Sequence, residues 1–258
     1  MEDSSGGAWP AVLDERATAR GGNVFLSMVG RRQAGEPVQY VLRHWAFRRL
    51  DLMVDSRVLI PRPETEVVVE VALEELRRLR AAGPVVVDLG TGSGAIALSI
   101  ASERGDTQAW ATDISEGALA VASANLAGLG AQAVGRVRLV QGSWWEALPD
   151  GLRHTVSLVV ANPPYVAEGE LAQLPLEVSS WEPREALIAG PTGLEAFEVI
   201  VGGASEWLAE RSALVVEIAP HQAGAASALA LRAGFGHVTV RPDLAGRERV
   251  LVARAERT

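Results

Sequence analysis

Val85-Val86-Val87-Asp88-Leu89-Gly90-Thr91-Gly92-Ser93-Gly94 passes from a short apolar run into a glycine-rich turn, and Ala95 to Glu103 continues as helix. The apolar run reads as a strand buried on both faces. Glycines let the backbone turn tightly and let a ligand approach the main chain closely. The same strand-then-helix pattern repeats downstream. Gln108 to Thr112 reads as a second strand ending at Asp113, and Ser115 to Leu129 as a helix with Ser115 as N-cap. Val137 to Val140 is a third strand, followed by Gly142-Ser143-Trp144-Trp145. His154 to Ala161 is a fourth, ending in Asn162-Pro163-Pro164-Tyr165. A helix over Leu194 to Ala209, a fifth strand over Ala213 to Ile218 and a helix over His221 to Ala233 follow. His237 to Arg241 and Arg249 to Ala253 are joined by a short loop, which predicts antiparallel neighbours. Alternating strands and helices predict an α/β fold: a seven-stranded, mostly parallel sheet with helices on both faces.

The segment before Pro84 has a different character. Residues 1 to about 22 carry little periodicity apart from a short helix predicted near Ala11 to Ala19. Asn23 to Arg32 reads as a helix capped by Asn23, with Val24, Phe25, Met28 and Val29 on one side, stopped by Gly35-Glu36-Pro37. Phe47 to Val54 reads as a strand or hairpin arm. Leu59-Ile60-Pro61-Arg62-Pro63 is held extended by its prolines. Thr65-Glu66 then opens a helix that ends near Ala82-Gly83-Pro84.

Composition bounds the function. The 258 residues carry 24 Lys+Arg against 32 Asp+Glu, a net charge of −8, which argues against binding by non-specific phosphate attraction. Arg31, Arg32, Arg43, Arg48 and Arg49 read as a solvated face. There is no cysteine, and the four histidines are scattered, so no metal site is expected. No apolar run is long enough to suggest a membrane span, and no signal-peptide core opens the chain, so a cytoplasmic location is expected.

Open α/β sheets bind ligands beyond the carboxyl ends of their strands. The glycines are spaced G-x-G-x-G, which is not the dinucleotide fingerprint, and no lysine follows as a P-loop requires. Asp88 at the head of the turn disfavours phosphate and suits a cation or amine. Asp113 is placed to accept both hydroxyls of a ribose, and Trp144 to lie beside a purine, core packing being the other reading of that ring. S-adenosylmethionine (AdoMet) has these parts: ribose, adenine, an ammonium and no phosphate. At the fourth strand's tip, the two prolines cannot continue a sheet ladder. The tip presents the Asn162 amide, the Pro163 carbonyl and the Tyr165 ring together, which suits a planar, NH2-bearing group.

Three segments together resemble the HemK/PrmC protein-(glutamine-N5) methyltransferases. They are Asp88-Leu89-Gly90-Thr91-Gly92-Ser93-Gly94, Asn162-Pro163-Pro164-Tyr165 and Leu59-Ile60-Pro61-Arg62-Pro63-Glu64-Thr65-Glu66. Arg31-Arg32 with Gly35-Glu36-Pro37 and Tyr40, Glu182-Pro183-Arg184, and Asp243-Leu244-Ala245-Gly246-Arg247 are further matches. The resemblance implies a class I AdoMet-dependent methyltransferase fold, Rossmann-like, over residues 67–258. It implies a hairpin and linker over 46–66 and a small N-terminal helical segment over 1–45. The implied substrate is the glutamine of the Gly-Gly-Gln loop of class-I peptide chain release factors, with no direct nucleic-acid or membrane partner and a monomeric state. Methylation of a ribosomal-protein glutamine or of an adenine amine in nucleic acid, or a non-catalytic AdoMet- or partner-binding role, are the other readings.

By the same resemblance Asn162, Pro163 and Tyr165 are catalytic. Asp88, Gly90, Thr91, Gly92, Ser93, Gly94, Asp113, Ser143, Trp144 and Asn162 hold the cofactor. Pro63, Glu64, Thr65 and Asn162 to Tyr165 meet the substrate, although Pro61 to Glu66 also reads as a rigid linker. Glu182-Pro183-Arg184 reads either as a substrate-side loop or as a structural ion pair. The chain departs from the family's pattern at four places. About 30 residues precede the Arg31-Arg32 motif where the family has a helical domain, so that domain is expected to be shortened. Ser143 stands for the usual Asp, Arg43 for a Gly, and Ala46 for a Glu.

Overall fold

The computed structural model describes residues 19–256. The helix expected near Ala11 to Ala19 lies outside the described residues except for its last. The chain opens with α1 (Ala19–Gln33), the short α2 (Val38–Leu42) and a hairpin of β1 (His44–Phe47) and β2 (Leu50–Met53). Then come α3 (Pro63–Leu79), β3 (Val85–Leu89), α4 (Ala95–Glu103), β4 (Gln108–Asp113) and α5 (Glu116–Gly128). The single turn α6 (Ala131–Val134), β5 (Val137–Gln141) and β6 (Val156–Ala161) follow. An excursion carries β7 (Val166–Ala167), α7 (Leu176–Ser179) and β8 (Ile188–Gly190). The chain finishes with α8 (Glu195–Trp207), β9 (Leu208–Glu217), α9 (Ala223–Arg232), β10 (His237–Pro242) and β11 (Glu248–Glu256). Among the described residues no helix is long and apolar enough to cross a membrane.

The main sheet has seven strands in the order β10-β11-β9-β6-β3-β4-β5. β9, β6, β3, β4 and β5 run parallel, and β11 and β10 close one edge antiparallel. The chain winds outward from β3 to β5 and then returns to β6 on the other side of β3. That reversal opens a crevice at the carboxyl ends of β3 and β6.

The strands read as continuous apolar runs because both faces are covered. Alternate residues still divide between two cores. Val86, Leu158, Val160, Val215 and Val252 pack beneath α3 and α4. Val87, Leu89, Val159, Leu214, Val216 and Leu251 pack on the other side with Phe197, Trp145 and Trp207. The Trp145 and Trp207 rings stack at 6.1 Å and 8°, a contact worth roughly 0.5–1.5 kcal/mol beyond its buried area. Gly203 of α8 makes room for that stack, since a Cβ there would collide with Trp145 Cδ1.

Several expectations are corrected. α1 starts at Ala19, so Asn23 is interior rather than a cap; of the apolar residues expected on one side, Val24 and Phe25 are exposed and Met28 and Val29 half-buried. α3 begins at Pro63, where a proline's missing N–H costs nothing. It ends at Leu79, before the expected Gly83, because Arg80 itself takes the left-handed cap at φ 52. β9 begins at Leu208 rather than Ala213, the extra residues being accommodated by a register shift opposite Val156 and Leu158. The expected division at 45/46 falls inside the hairpin, and that at 66/67 inside α3.

The arginines near the N-terminus are not one solvated face. Arg31 pairs with Glu36 and donates to the Tyr40 carbonyl at 3.0 Å, while the buried Tyr40 hydroxyl donates to the Val58 carbonyl at 2.5 Å. Arg48 ties the hairpin to Glu103 at 2.6 Å and to Glu70 at 3.0 Å. Arg43, where the resemblance expects glycine, caps α2 at φ 64. A Cβ is crowded in that conformation, which explains the preference for glycine. Arg43→Gly is therefore expected to raise stability by about 0.5–1 kcal/mol, read as a higher urea midpoint at unchanged m-value.

Candidate active site

The parallel register decides what stands at the carboxyl edge of the sheet. Leu89 lies opposite both Thr112 and Ala161, and Ala161 lies opposite Val216. The residues that follow, Asp113, Gly90, Asn162 and Glu217, consequently stand side by side at the ends of four strands. β5 brings Gly142, Ser143 and Trp144 alongside. Together they edge a cleft with an empty volume of ≈ 1030 Å³, open mouth included.

The glycine turn forms the cleft floor. Gly90, Gly92 and Gly94 take φ values of 75°, 55° and 85°. Gly90 and Thr91 donate their N–H groups to the Thr112 carbonyl at 2.9 and 2.8 Å, and Gly92 donates to Asp113 Oδ2 at 2.8 Å. Asp113 Oδ1 accepts from Ser115 N at 2.9 Å, so both carboxylate oxygens already brace the loops and keep lone pairs for a ligand. Burial holds the Asp113 carboxyl above its ordinary value, against the pull of these backbone donors. Trp144 starts a 3₁₀ turn at φ 44, its ring 3.7 Å from where a Gly90 Cβ would be. The core role falls to its neighbour Trp145.

Asp88 lies beneath the turn, 1% exposed. Its Oδ2 accepts from Thr91 Oγ1 at 2.6 Å and from Ala97 N, in the first turn of α4, at 3.1 Å. Its Oδ1 is buried without a partner. Burial pushes the carboxyl up to about 7, with the Thr91 and Ala97 donors pulling it back. A buried carboxylate oxygen without a donor is costly, and a cation placed there relieves it.

At the β6 tip, Asn162 Nδ2 donates to Thr65 Oγ1 at 3.1 Å, and Thr65 Oγ1 donates to Glu217 Oε2 at 2.6 Å. Asn162 Oδ1 is buried with no partner. Burial, with Glu217 adding to it, pushes the Tyr165 phenol up to about 12. Tyr165 is anchored through its backbone: its carbonyl accepts from Gln222 Nε2 at 3.0 Å.

Of the expected site residues, Thr65, Gly90, Thr91, Gly92, Ser93, Asp113, Ser143, Trp144, Asn162 and Pro164 line the cleft. Asp88, Gly94, Pro163 and Tyr165 do not reach its wall. Pro63 is exposed and Glu64 pairs with Arg247 at 2.9 Å; Pro61 and Thr65 bring that segment to the cleft instead. The Glu182-Pro183-Arg184 motif serves as both an ion pair and a cleft loop. Glu182, 7% exposed, pairs with Arg62 at 2.5 Å, and Pro183, Glu185 and Ala186 close one side of the cleft. Sequence reasoning missed Glu217, although a lone carboxylate ending the apolar run Leu214-Val215-Val216 was its signal. Among the described residues no group of three or more His, Cys, Asp or Glu could hold a metal ion.

Comparison with known proteins agrees with this geometry. The family described as Methyltransferase small domain matches residues 67–177. A release factor glutamine methyltransferase from Burkholderia pseudomallei is 44% identical over 241 residues, covering 92% of this chain and 81% of that one. Another, from Moorella thermoacetica, is 42% identical over 244 residues, covering 94% and 83%. The chain belongs to the release factor glutamine methyltransferase family. Its fold is that of the class I AdoMet-dependent methyltransferases. The hMettl16 catalytic domain, solved in complex with a MAT2A 3'UTR hairpin, shares that fold at 16% identity with a TM-score of 0.65, over 85% of this chain and 81% of that one.

A buried carboxyl lifted to about 7 favours the folded state while it stays protonated. Its contribution is full below the unfolded value near 3.8 and is lost as pH rises to about 7. Asp88→Asn in the cofactor-free protein is therefore expected to melt increasingly above the parent between pH 4 and pH 7. Differential scanning calorimetry across that range checks it.

Proposed function

We propose that this chain transfers the methyl group of AdoMet to the side-chain amide nitrogen (N5) of the glutamine in the Gly-Gly-Gln motif of class-I peptide chain release factors. The observation that carries the reading is Asn162 Oδ1, a buried acceptor with no partner at the tip of β6. Family membership narrows the planar NH2 group that would fill it to a glutamine amide.

The residues present fit AdoMet. Asp88, with one buried unpaired oxygen, suits its ammonium; the turn from Gly90 to Gly94 leaves main chain open to its close approach; Asp113 keeps lone pairs for ribose hydroxyls; Trp144 and Ser143 border the adenine side. When bound, AdoMet supplies an electrophilic sulfonium methyl group.

A glutamine amide nitrogen is a poor nucleophile because its lone pair is delocalised into the carbonyl. Asn162 Oδ1 and the Pro163 carbonyl would accept its two N–H bonds, turn the lone pair toward the methyl group and favour loss of planarity. Tyr165 would cover the amide face and exclude water. Rate then comes from positioning and from dipoles already oriented before reaction. The proton leaves after transfer, when the nitrogen has become far more acidic. Residues 67–258 carry this chemistry in our reading, and residues 46–66 wall the site. Work on a release factor favours a cytoplasmic location.

The test is incubation with AdoMet and, separately, a release factor, ribosomal proteins and oligonucleotides, with methyl groups mapped by mass spectrometry. Methyl on the Gly-Gly-Gln glutamine is expected; methyl on nucleic acid alone overturns the reading. Asn162→Ala is expected to lower kcat by roughly 10²–10³, the typical effect of removing one pre-oriented stabilising group, with AdoMet affinity nearly unchanged. Asp113→Ala is expected to weaken AdoMet binding by about 10-fold or more, measured by calorimetry.

A further inference from the structure

We propose that Glu217 is a positioning residue for this reaction: through the Thr65 hydroxyl it holds the Asn162 side-chain amide with its oxygen, not its nitrogen, toward the acceptor glutamine. The inference rests on the function proposed above and assigns to that site a part that neither the glycine turn nor the Asn162 to Tyr165 motif contains.

The geometry is a chain of three groups from three distant parts of the sequence. Glu217 ends β9, and its neighbour Val216 is paired with Ala161, the residue before Asn162. Glu217 is 1% exposed, and Thr65, in the first turn of α3, is 4% exposed. The Thr65 hydroxyl donates to Glu217 Oε2 at 2.6 Å and accepts from Asn162 Nδ2 at 3.1 Å.

The two ends of an asparagine amide have nearly the same shape, and only their hydrogen-bond partners tell them apart. A threonine hydroxyl has one proton. When that proton is committed to a carboxylate, only lone pairs remain to face Asn162, and they take the NH2 end. Asn162 Oδ1 is thereby left outward, as the buried acceptor without a partner. A protonated Glu217 reverses the order. It donates to Thr65, the hydroxyl proton turns to Asn162 Oδ1, and the NH2 end swings toward the substrate's own N–H groups, where donor meets donor.

The relay is consequently sensitive to protonation. Arg249 from β11, Arg62 and Glu64 at the start of α3, and Tyr165 after β6 are the charged or titratable groups facing Glu217. Neither arginine hydrogen-bonds it: Arg249 donates to the Ile218 carbonyl at 3.2 Å and Arg62 to Glu182 at 2.5 Å. Burial pushes the Glu217 carboxyl up to about 7; Thr65, Arg249 and Arg62 pull it back, and Glu64 pushes it further. The competent, ionised form fills as pH rises through about 7.

The test uses the full chain with AdoMet and a release factor. In the parent, kcat at saturating substrates is expected to rise with pH to a plateau, with a midpoint near 7. Glu217→Gln, which cannot titrate, is expected to give a profile without that limb. Thr65→Val is expected to lower kcat by about 10-fold or more, the loss of a buried hydrogen bond to a pre-oriented group, with AdoMet affinity unchanged. Thr65→Ser is expected to restore most of it. A readout free of any substrate is the side-chain NH2 resonance pair of Asn162, assigned by its absence in Asn162→Asp. It is expected to shift with the same midpoint in the parent and to stay put in Glu217→Gln. An NH2 pair that does not move with pH in the parent, or a Thr65→Val enzyme turning over at the parental rate, overturns the proposal. If the parent methylates no release factor at any pH, the functional reading fails while the resonances still decide the relay.

Discussion

The constraint on which this molecule depends is the level at which its parallel strands stop. β4, β3, β6 and β9 pair so that Asp113, Gly90, Asn162 and Glu217 follow their last shared positions together. Parallel strands cannot be joined by tight hairpins, so each needs a crossing, which is helical before β3, β4 and β9 and made of 3₁₀ turns before β6, and the loop after each one is free to carry chemistry. A slip of one residue in any of these pairings would turn the strand's side chains to the opposite core. Core packing on both faces therefore positions the cleft, although few core side chains touch it.

Around that edge, a set of ion pairs fixes the parts the sheet does not hold. Arg31 folds the segment before the hairpin onto itself, Arg48 fastens the hairpin to α3 and α4, and Arg62 with Glu182 joins the start of α3 to the excursion after β6. The last of these is the most consequential for the site. Its carboxylate is nearly inaccessible, its second oxygen is buried without a partner, and the loop it anchors borders the cleft. A carboxylate buried in this way costs desolvation, and removing the half-buried Arg62 would leave its charge unpaired. Its contribution lies in locating two loops relative to one another.

Much of this was legible in the sequence where the signal is local. Apolar runs ending in Asp88-Leu89-Gly90, in Asp113 and in Asn162-Pro163 announce both the strands and their tips, because turn chemistry and burial act on neighbours. The illegible parts depend on register or on choices between near-equal candidates. Glu217 matters through pairing with a strand far away in sequence. Trp144 reads as the cleft ring with core packing left open, and the stack of Trp145 on Trp207 depends on a helix far away in sequence. Arg43 and Arg80 occupy left-handed caps that composition assigns to glycine. Arg31 and Arg48 resembled surface charge until their carboxylate and carbonyl partners were in view.

The unpaired oxygen of Asp88 has a consequence for the protein as a whole. A fold that buries a carboxylate without completing its hydrogen bonds has left part of its own stability to be supplied from outside. Any ligand that meets Asp88 in the native state and not in the unfolded chain adds RT ln(1 + [L]/Kd) to the folding free energy, about 2.7 kcal/mol at a hundredfold excess over Kd. An occupant of the cleft that reached Asp88 past the glycine turn would in that sense be a structural element of the chain. The lifetime of the protein against proteolysis, and the amount that accumulates, would then follow the supply of that occupant as well as the rate of synthesis.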